Sequence, residues 1–272
     1  LAGPDGRGPA ELGIFLDSLA TYDLGINTGW LVGHNAVRRA VMGTENRAPS
    51  EQELEAMKLL VDRAMDAGAF GISTGLKYVP GAYATVDEVI ALSKVAAAKG
   101  GIYTSHLREE GLGLLDGVQE AIQIARDAQI PVVLTHHKAI GKPMWGASSK
   151  TLAMVDSARN LGLDIMMDQY PYTASSTGLS VLIPAWAMAG GNSAFKERID
   201  DPATRRKIHK EIMFNIEYDR GGADLDVVQF ASVSWKPDLN GRTLKDWAIE
   251  KGLEPNFSNG ADLVIEGQLN GG

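Results

Sequence analysis

The sequence predicts an α/β chain on the plan of a (β/α)8 TIM-type barrel, and three observations carry that prediction. Short apolar runs alternate with segments of helical periodicity. Predicted strands begin near Ala69, Ile102, Pro131 and Asp164, spaced by roughly thirty residues, the length of one β–α unit. Polar residues stand at the strand ends, where a barrel carries its site. A doubly wound parallel sheet has the same rhythm and is the competing architecture.

The chain has 272 residues, a length that one barrel domain fills. PAELGIFLDSLATY reads as a helix, and GINTGWLVGH holds an early strand. SEQELEAMKLLVDRAMDAG opens on Ser50 and Glu53, an S-x-x-E capping box, and stops at Gly68. AFGISTG follows as a buried strand. TVDEVIALSKVAAAKGG repeats the plan, with Thr85 and Glu88 at its start and Gly100 at its end. IYTSH, LLDGVQEAIQIARDAQ, PVVLTH, SSKTLAMVDSARNLG and DIMMDQY continue as strand, helix, strand, helix, strand. Beyond Tyr172 the rhythm fails. Residues 173–225 contain SSTGLSVLIPAWAMAGG and the charged helix DPATRRKIHKEIMFN, and read as an insertion near the pocket mouth. DVVQFASV reads as a further strand, backed by a helix at TLKDWAIEKG. Residues 1–272 are thus expected to form a single barrel domain, incomplete in this chain, with its first and last strands missing.

Composition narrows the classes. The chain is 44% hydrophobic and 22% charged, which suits a globular core. A net charge of −8 without any basic run argues against a nucleic-acid partner. No apolar stretch approaches the ~18 residues of a membrane span. LAGPDGRGPA lacks the regions of a signal peptide and an initiator methionine, so the N-terminus is expected upstream and the cytoplasm is the default location. Cysteine is absent, so a metal would need His, Asp or Glu. G-x-x-x-x-G-K-[ST], G-x-G-x-x-G and G-x-S-x-G do not occur, which counts against nucleotide binding and a serine-elbow hydrolase.

There are five histidines. IYTSH ends in His106 and PVVLTH in His136. Counting by twos, Ile102, Thr104 and His106 share one face, as do Val132, Leu134 and His136. At the C-terminal ends of successive barrel strands the two imidazoles would converge, and imidazole is a good zinc ligand. A histidine after a strand is commonly a hydrogen-bonded structural residue, and the matched depth of this pair puts the metal reading level with that one. His137 then points away and is structural, and His209, in RRKIHKE, is a solvated surface residue. Lys138 returns to the inward side if the strand persists, where its ammonium could hold an anionic substrate group. Arg108, Glu109 and Glu110 follow His106, and the glutamates read as a solvated helix start. Asp168, ending DIMMD, is a ligand or a buried ion-pair partner, and His34 in LVGHNAVRR is a pocket or a turn residue.

Five segments occur in order: GAFGISTGLKYVPGAYA, GGIYTSHLREEG, IPVVLTHHKAIG, WGASSKTLAMVDSARNLGLDI and DQYPYTASST. Together they closely resemble the N-acyl-D-amino-acid deacylases (D-aminoacylases) of the amidohydrolase superfamily, over most of residues 30–190. The resemblance implies a zinc-dependent barrel that hydrolyses the amide of an N-acyl-D-amino acid to a carboxylate and the free amino acid. It implies His106 and His136 as metal ligands, and Lys138, Tyr170 and Ser176 as contacts to the substrate carboxylate. Lys138 and the QYPYTASST loop favour a linear acyl amino acid over the cyclic amides of dihydroorotase-like enzymes or the substrates of isoaspartyl-type dipeptidases.

The departures matter too. The family's H-x-H motif is absent, no place is found before residue 30 for its second-strand cysteine or glutamate ligand, and the general acid/base aspartate in an SDG-like context is missing. The chain is therefore expected to be an internal segment of a longer enzyme, with two ligands where catalytic zinc usually takes three, and inactive alone. A barrel short of strands exposes unpaired edges, so the chain should pair with another copy or segment, or be a poorly active remnant. A non-catalytic assembly chain is the alternative of another class.

Overall fold

The computed structural model describes residues 2–222 and 224–271. Backbone contacts divide the chain into two units, Leu1–Lys138 with Ala147–Tyr170, and Ala139–Gly146 with Pro171–Gly272. Among the described residues no helix is long and apolar enough to cross a membrane.

The first unit runs α1 (Leu12–Leu19), β1 (Val32–Gly33), α2 (His34–Met42), α3 (Glu51–Asp66), β2 (Gly71–Gly75), α4 (Val86–Ala98), β3 (Ile102–His106), α5 (Leu114–Ala128), β4 (Val132–Leu134), α6 (Ser148–Asn160) and β5 (Ile165–Met167). The five strands form one parallel sheet in the order β1-β2-β3-β4-β5. Each crossover steps to the adjacent strand in the same direction. The order never reverses, so the topological switch of a doubly wound sheet is absent among the described residues. Register pairs Gly75 with His106 and Ser105 with Leu134, which brings the C-terminal ends of β2, β3 and β4 level. Leu31, Val32, Ile72, Tyr103, Val132 and Leu134 are buried, as strands covered by helices require.

Both predicted caps form, but differently. Ser50 and Glu53 make the complete reciprocal box at α3. At α4 Thr85 Oγ1 accepts the Glu88 N–H (3.3 Å), while the Glu88 carboxylate turns inward. It meets His34 Nε2 at 2.8 Å and the Arg38 guanidinium, all three side chains being buried. Arg38 also donates to the Arg47 carbonyl (2.6 Å). Glu88 thus joins α2 to α4 and leaves its half of the box unmade. His34 belongs to this network, at the first turn of a helix that the sequence pattern did not mark.

The second unit holds α7 (Gly191–Asp200), α8 (Pro202–Phe214), a π-helical turn at Asn215–Arg220, α9 (Leu244–Glu250) and α10 (Phe257–Leu269). Phe195, Ile208, Ile212, Trp247, Leu263 and Val264 are in its core. The strand expected at DVVQFASV is not there. Asp224 accepts the Asp226 N–H (2.8 Å) and turns the chain into a 3-10 segment at Leu225–Val227, leaving a single bridge between Gln229 and Thr243. Phe230 packs its ring 5.7 Å from that of Trp247 instead of joining a sheet. The described residues hold five strands, with none at DVVQFASV.

Glu88→Gln should remove one charge from a buried trio and destabilise the fold by about 3–5 kcal/mol, measured by urea denaturation at neutral pH. Burial opposes ionisation of Glu88, but His34 and Arg38 outweigh it and hold its carboxyl below the ordinary value of 4.5. That stabilisation is complete above the ordinary value and is lost as pH falls through the lower folded value. The gap between wild type and variant should therefore close in acid, and a gap constant down to the acid transition would refute the assignment.

Candidate metal centre

β3 carries His106 on its last residue, as the alternation of the strand predicts. His136 arrives by another route. β4 ends at Leu134, and the chain then turns, with His136 in the left-handed region at φ 44. Asp168, just past β5, holds the turn: its Oδ1 accepts the His136 N–H (2.5 Å) and its carbonyl the His137 N–H (2.8 Å). Asp168 is therefore a backbone clasp. The turn sets His136 Nε2 2.8 Å from His106 Nδ1, with ring centroids 4.5 Å apart.

A third donor comes from a residue that sequence reasoning missed. Asp5 Oδ1 lies 3.3 Å from His136 Nε2 and 3.8 Å from His106 Nδ1. The sequence shows no place for a cysteine or glutamate ligand before residue 30, and Asp5, which is neither, was not marked. GPDGRGP has no periodicity and reads as loop punctuation, and its one acidic residue among glycines was the only signal. One donor atom from each of Asp5, His106 and His136 falls within 4.8 Å of the others, and no other such group occurs among the described residues.

On the far side of the imidazoles stands Glu110, 1% exposed. Its Oε1 accepts from Lys138 Nζ (2.6 Å) and lies 3.3 Å from His136 Nδ1, and its Oε2 is 3.6 Å from His106 Nε2. The solvated helix start expected at Glu109 and Glu110 is thus corrected, because the segment after β3 folds Glu110 under both rings. Glu109 pairs with Lys77 (2.8 Å), and Arg108 with Glu120 (2.8 Å). Lys138, although β4 stops four residues before it, also approaches His136 Nδ1 (2.8 Å) and sits 5.5 Å over the Tyr170 ring. Tyr170 lies 6.2 Å from the His136 ring. Ser176 is exposed and belongs to the second unit, so it is not among the residues this unit gathers. His137 bonds Thr151 Oγ1 (2.8 Å) and is structural, as expected. His209 is half-buried and donates to the Ser258 carbonyl (2.9 Å), linking α8 to α10, which corrects its reading as a solvated surface residue.

The charges are unequal across the cluster. Burial resists ionisation of Glu110, yet His136, His106 and Lys138 hold its carboxyl down at about 2. Asp5 is also lowered against its burial, by His136 and His106. Burial pushes His106 down to about 4, whereas His136, buried but facing Asp5 and Glu110, rises to about 9. Two polar atoms of the cluster, Asp5 Oδ1 and His106 Nε2, are buried without a hydrogen-bond partner. An orphaned carboxylate oxygen converging with two imidazole nitrogens is a zinc donor set, so the residues fit such an ion.

Parallel β–α units whose C-terminal strand ends gather two histidines and a carboxylate form a site of the kind that metal-dependent α/β hydrolases use. The comparisons make that class particular. No protein-family profile matches the chain. It is 41% identical over 165 residues to a D-aminoacylase of Alcaligenes xylosoxydans xylosoxydans, covering 61% of this chain and 34% of that protein. It is likewise 41% identical over 175 residues to an N-acyl-D-glutamate deacylase of the same organism, covering 64% of this chain and 35% of the relative. The crystal structure of the Bordetella bronchiseptica N-acyl-D-glutamate deacylase, complexed with zinc and a phosphonate mimic of the tetrahedral intermediate, matches 93% of this chain and 45% of its own, with TM-score 0.73 and 30% identity. These relatives are N-acyl-D-amino-acid deacylases, D-aminoacylase being an amidohydrolase, and the chain spans about a third of the length of the two curated ones.

Glu110→Gln should destabilise the protein by about 3–5 kcal/mol, since it leaves the Lys138 ammonium and His136 without their buried counter-charge. A loss within about 0.5 kcal/mol, as for an exposed helix-start glutamate, would contradict the placement. Urea denaturation of the two proteins side by side decides it.

Proposed function

We propose that this chain carries the metal-binding part of an N-acyl-D-amino-acid deacylase, an enzyme that hydrolyses the amide of an N-acyl-D-amino acid. The observation that carries the reading is the convergence of Asp5, on its loop, with His106 and His136 at the C-terminal side of parallel strands β3 and β4. The activities for which the relatives are named support the substrate class. In this reading the five-stranded sheet is part of a (β/α)8 barrel, residues 173–225 are an insertion in it, and Asp5, His106 and His136 are the ligands of zinc.

Bound zinc supplies Lewis acidity for the amide carbonyl and for the attacking water. The protein groups do the rest. Asp5 brings the negative charge that a dication needs. Glu110 lies against the ring nitrogens that face away from Asp5, holding the orientation of both imidazoles as second partners of ligating histidines do. Lys138, beside Tyr170, presents an ammonium to the carboxylate of the acyl amino acid. Lys138 is tethered to Glu110, so the cation is held in place before substrate arrives.

Titration of the metal-free chain with zinc should show one tight site, weakened at least tenfold in each of Asp5→Ala, His106→Ala and His136→Ala. The zinc-loaded chain should bind N-acetyl-D-amino acids in preference to their L enantiomers and lose that binding in Lys138→Met. No zinc binding, or equal binding of both enantiomers, would overturn the respective part of the reading.

A further inference from the structure

Asp5 projects from a loop, not from a strand or helix, and its backbone stands at φ 56. A glycine-rich loop has much freedom to lose, so something must hold that carboxylate in place. The structure provides one buried hydroxyl. Ser73, at the centre of β2 and fully buried, donates from Oγ to the Gly3 carbonyl (2.6 Å). The same oxygen accepts the Gly6 N–H (3.1 Å). These two bonds fall on either side of Asp5 and use the hydroxyl both as donor and as acceptor.

The floor beneath the loop is built to the same end. A Cβ on Gly75 would lie 2.3 Å from the Asp5 carbonyl oxygen, and one on Gly6 would lie 2.2 Å from Asn35 Oδ1. Asn35 is itself fixed, accepting the Gly75 N–H (3.2 Å) and donating to the Gly75 carbonyl (3.0 Å). The loop can therefore descend onto β2 only because glycine occupies these places, and there it meets Ser73.

We propose that Ser73 is a positioning residue of the metal centre: its hydroxyl clasps the Gly3–Gly6 segment and so sets the Asp5 carboxylate beside His106 and His136. Ser73 is not one of the three donors and acts through the backbone on either side of Asp5. The inference rests on the metal reading of the site given above.

The test uses the full chain with Ser73→Ala, Asp5→Ala, the double variant and Ser73→Cys, a weak donor of similar shape. Zinc dissociation constants come from competition with a chromophoric chelator, ligand sets from the visible spectrum of the cobalt(II) form, and the state of the clasp from hydrogen exchange at the Gly6 amide of the metal-free protein. Ser73→Ala should weaken zinc about 10–100-fold, the range for partners that orient a ligand. Its cobalt spectrum should move to that of Asp5→Ala, Gly6 exchange should accelerate, and Ser73→Cys should fall between. In the Asp5→Ala background the Ser73 substitution should add nothing further. Wild-type affinity and spectrum with accelerated Gly6 exchange would overturn the inference, as would an equal loss in both backgrounds, which marks a general effect on folding. Failure of the unaltered chain to bind zinc would instead overturn the metal reading itself, and this inference with it.

Discussion

Three donor atoms held within 4.8 Å of one another set the terms for the structure around them. Free side chains of this kind would turn separately to water, so their convergence has to be imposed from outside. Two of the three residues, Asp5 and His136, adopt left-handed backbone, which costs a non-glycine residue on the order of 1–3 kcal/mol. Each is restrained by a side chain from a neighbouring segment, Asp5 by Ser73 and His136 by Asp168. His106 requires no such device because strand β3 delivers it directly. Among the three donors, left-handed backbone is confined to the two that regular structure does not reach.

The first unit uses one charge arrangement twice. Glu88 faces His34 and Arg38, and Glu110 faces His136 and Lys138. In each, a buried carboxylate lies between an imidazole and a cation, where unpaired charge is costly. The first trio lies between helices, and its outer groups end on Asn35 and on the Arg47 carbonyl. In the second, the imidazole of His136 has its other nitrogen turned towards Asp5 and His106. That difference separates a strut from a site, and neither composition nor burial alone would reveal it.

The parts of the fold that follow from periodicity were legible. The β–α rhythm, the cap of α3 and the alternation that faces His106 inward all stand in the structure. His136 and Lys138 also arrive where strand counting placed them, but through a turn at Asp168, since β4 is too short to carry the alternation that far. Glu110 was misread because consecutive charges resemble a solvated face, and only tertiary structure shows which one is covered. Asp5 was missed because its position depends on contacts between a loop and a strand some seventy residues away, which leave no local pattern. DVVQFASV has strand propensity but no partner strand, and β propensity is largely the fit to neighbours. α10 was masked by Gly260 and Gly267, which lower helix propensity yet allow Leu225 and Leu179 to pack close.

The hydroxyl of Ser73 also bears on the chemical lifetime of the chain. Asp5 and Gly6 form an Asp-Gly pair, the dipeptide in which the following backbone nitrogen most readily attacks the aspartyl carbon, closing a succinimide that reopens to isoaspartate. Here that nitrogen is buried and its hydrogen is committed to Ser73 Oγ. Folding thus shields the carboxylate from its own neighbour, and the ageing clock of this pair runs chiefly in molecules that have opened.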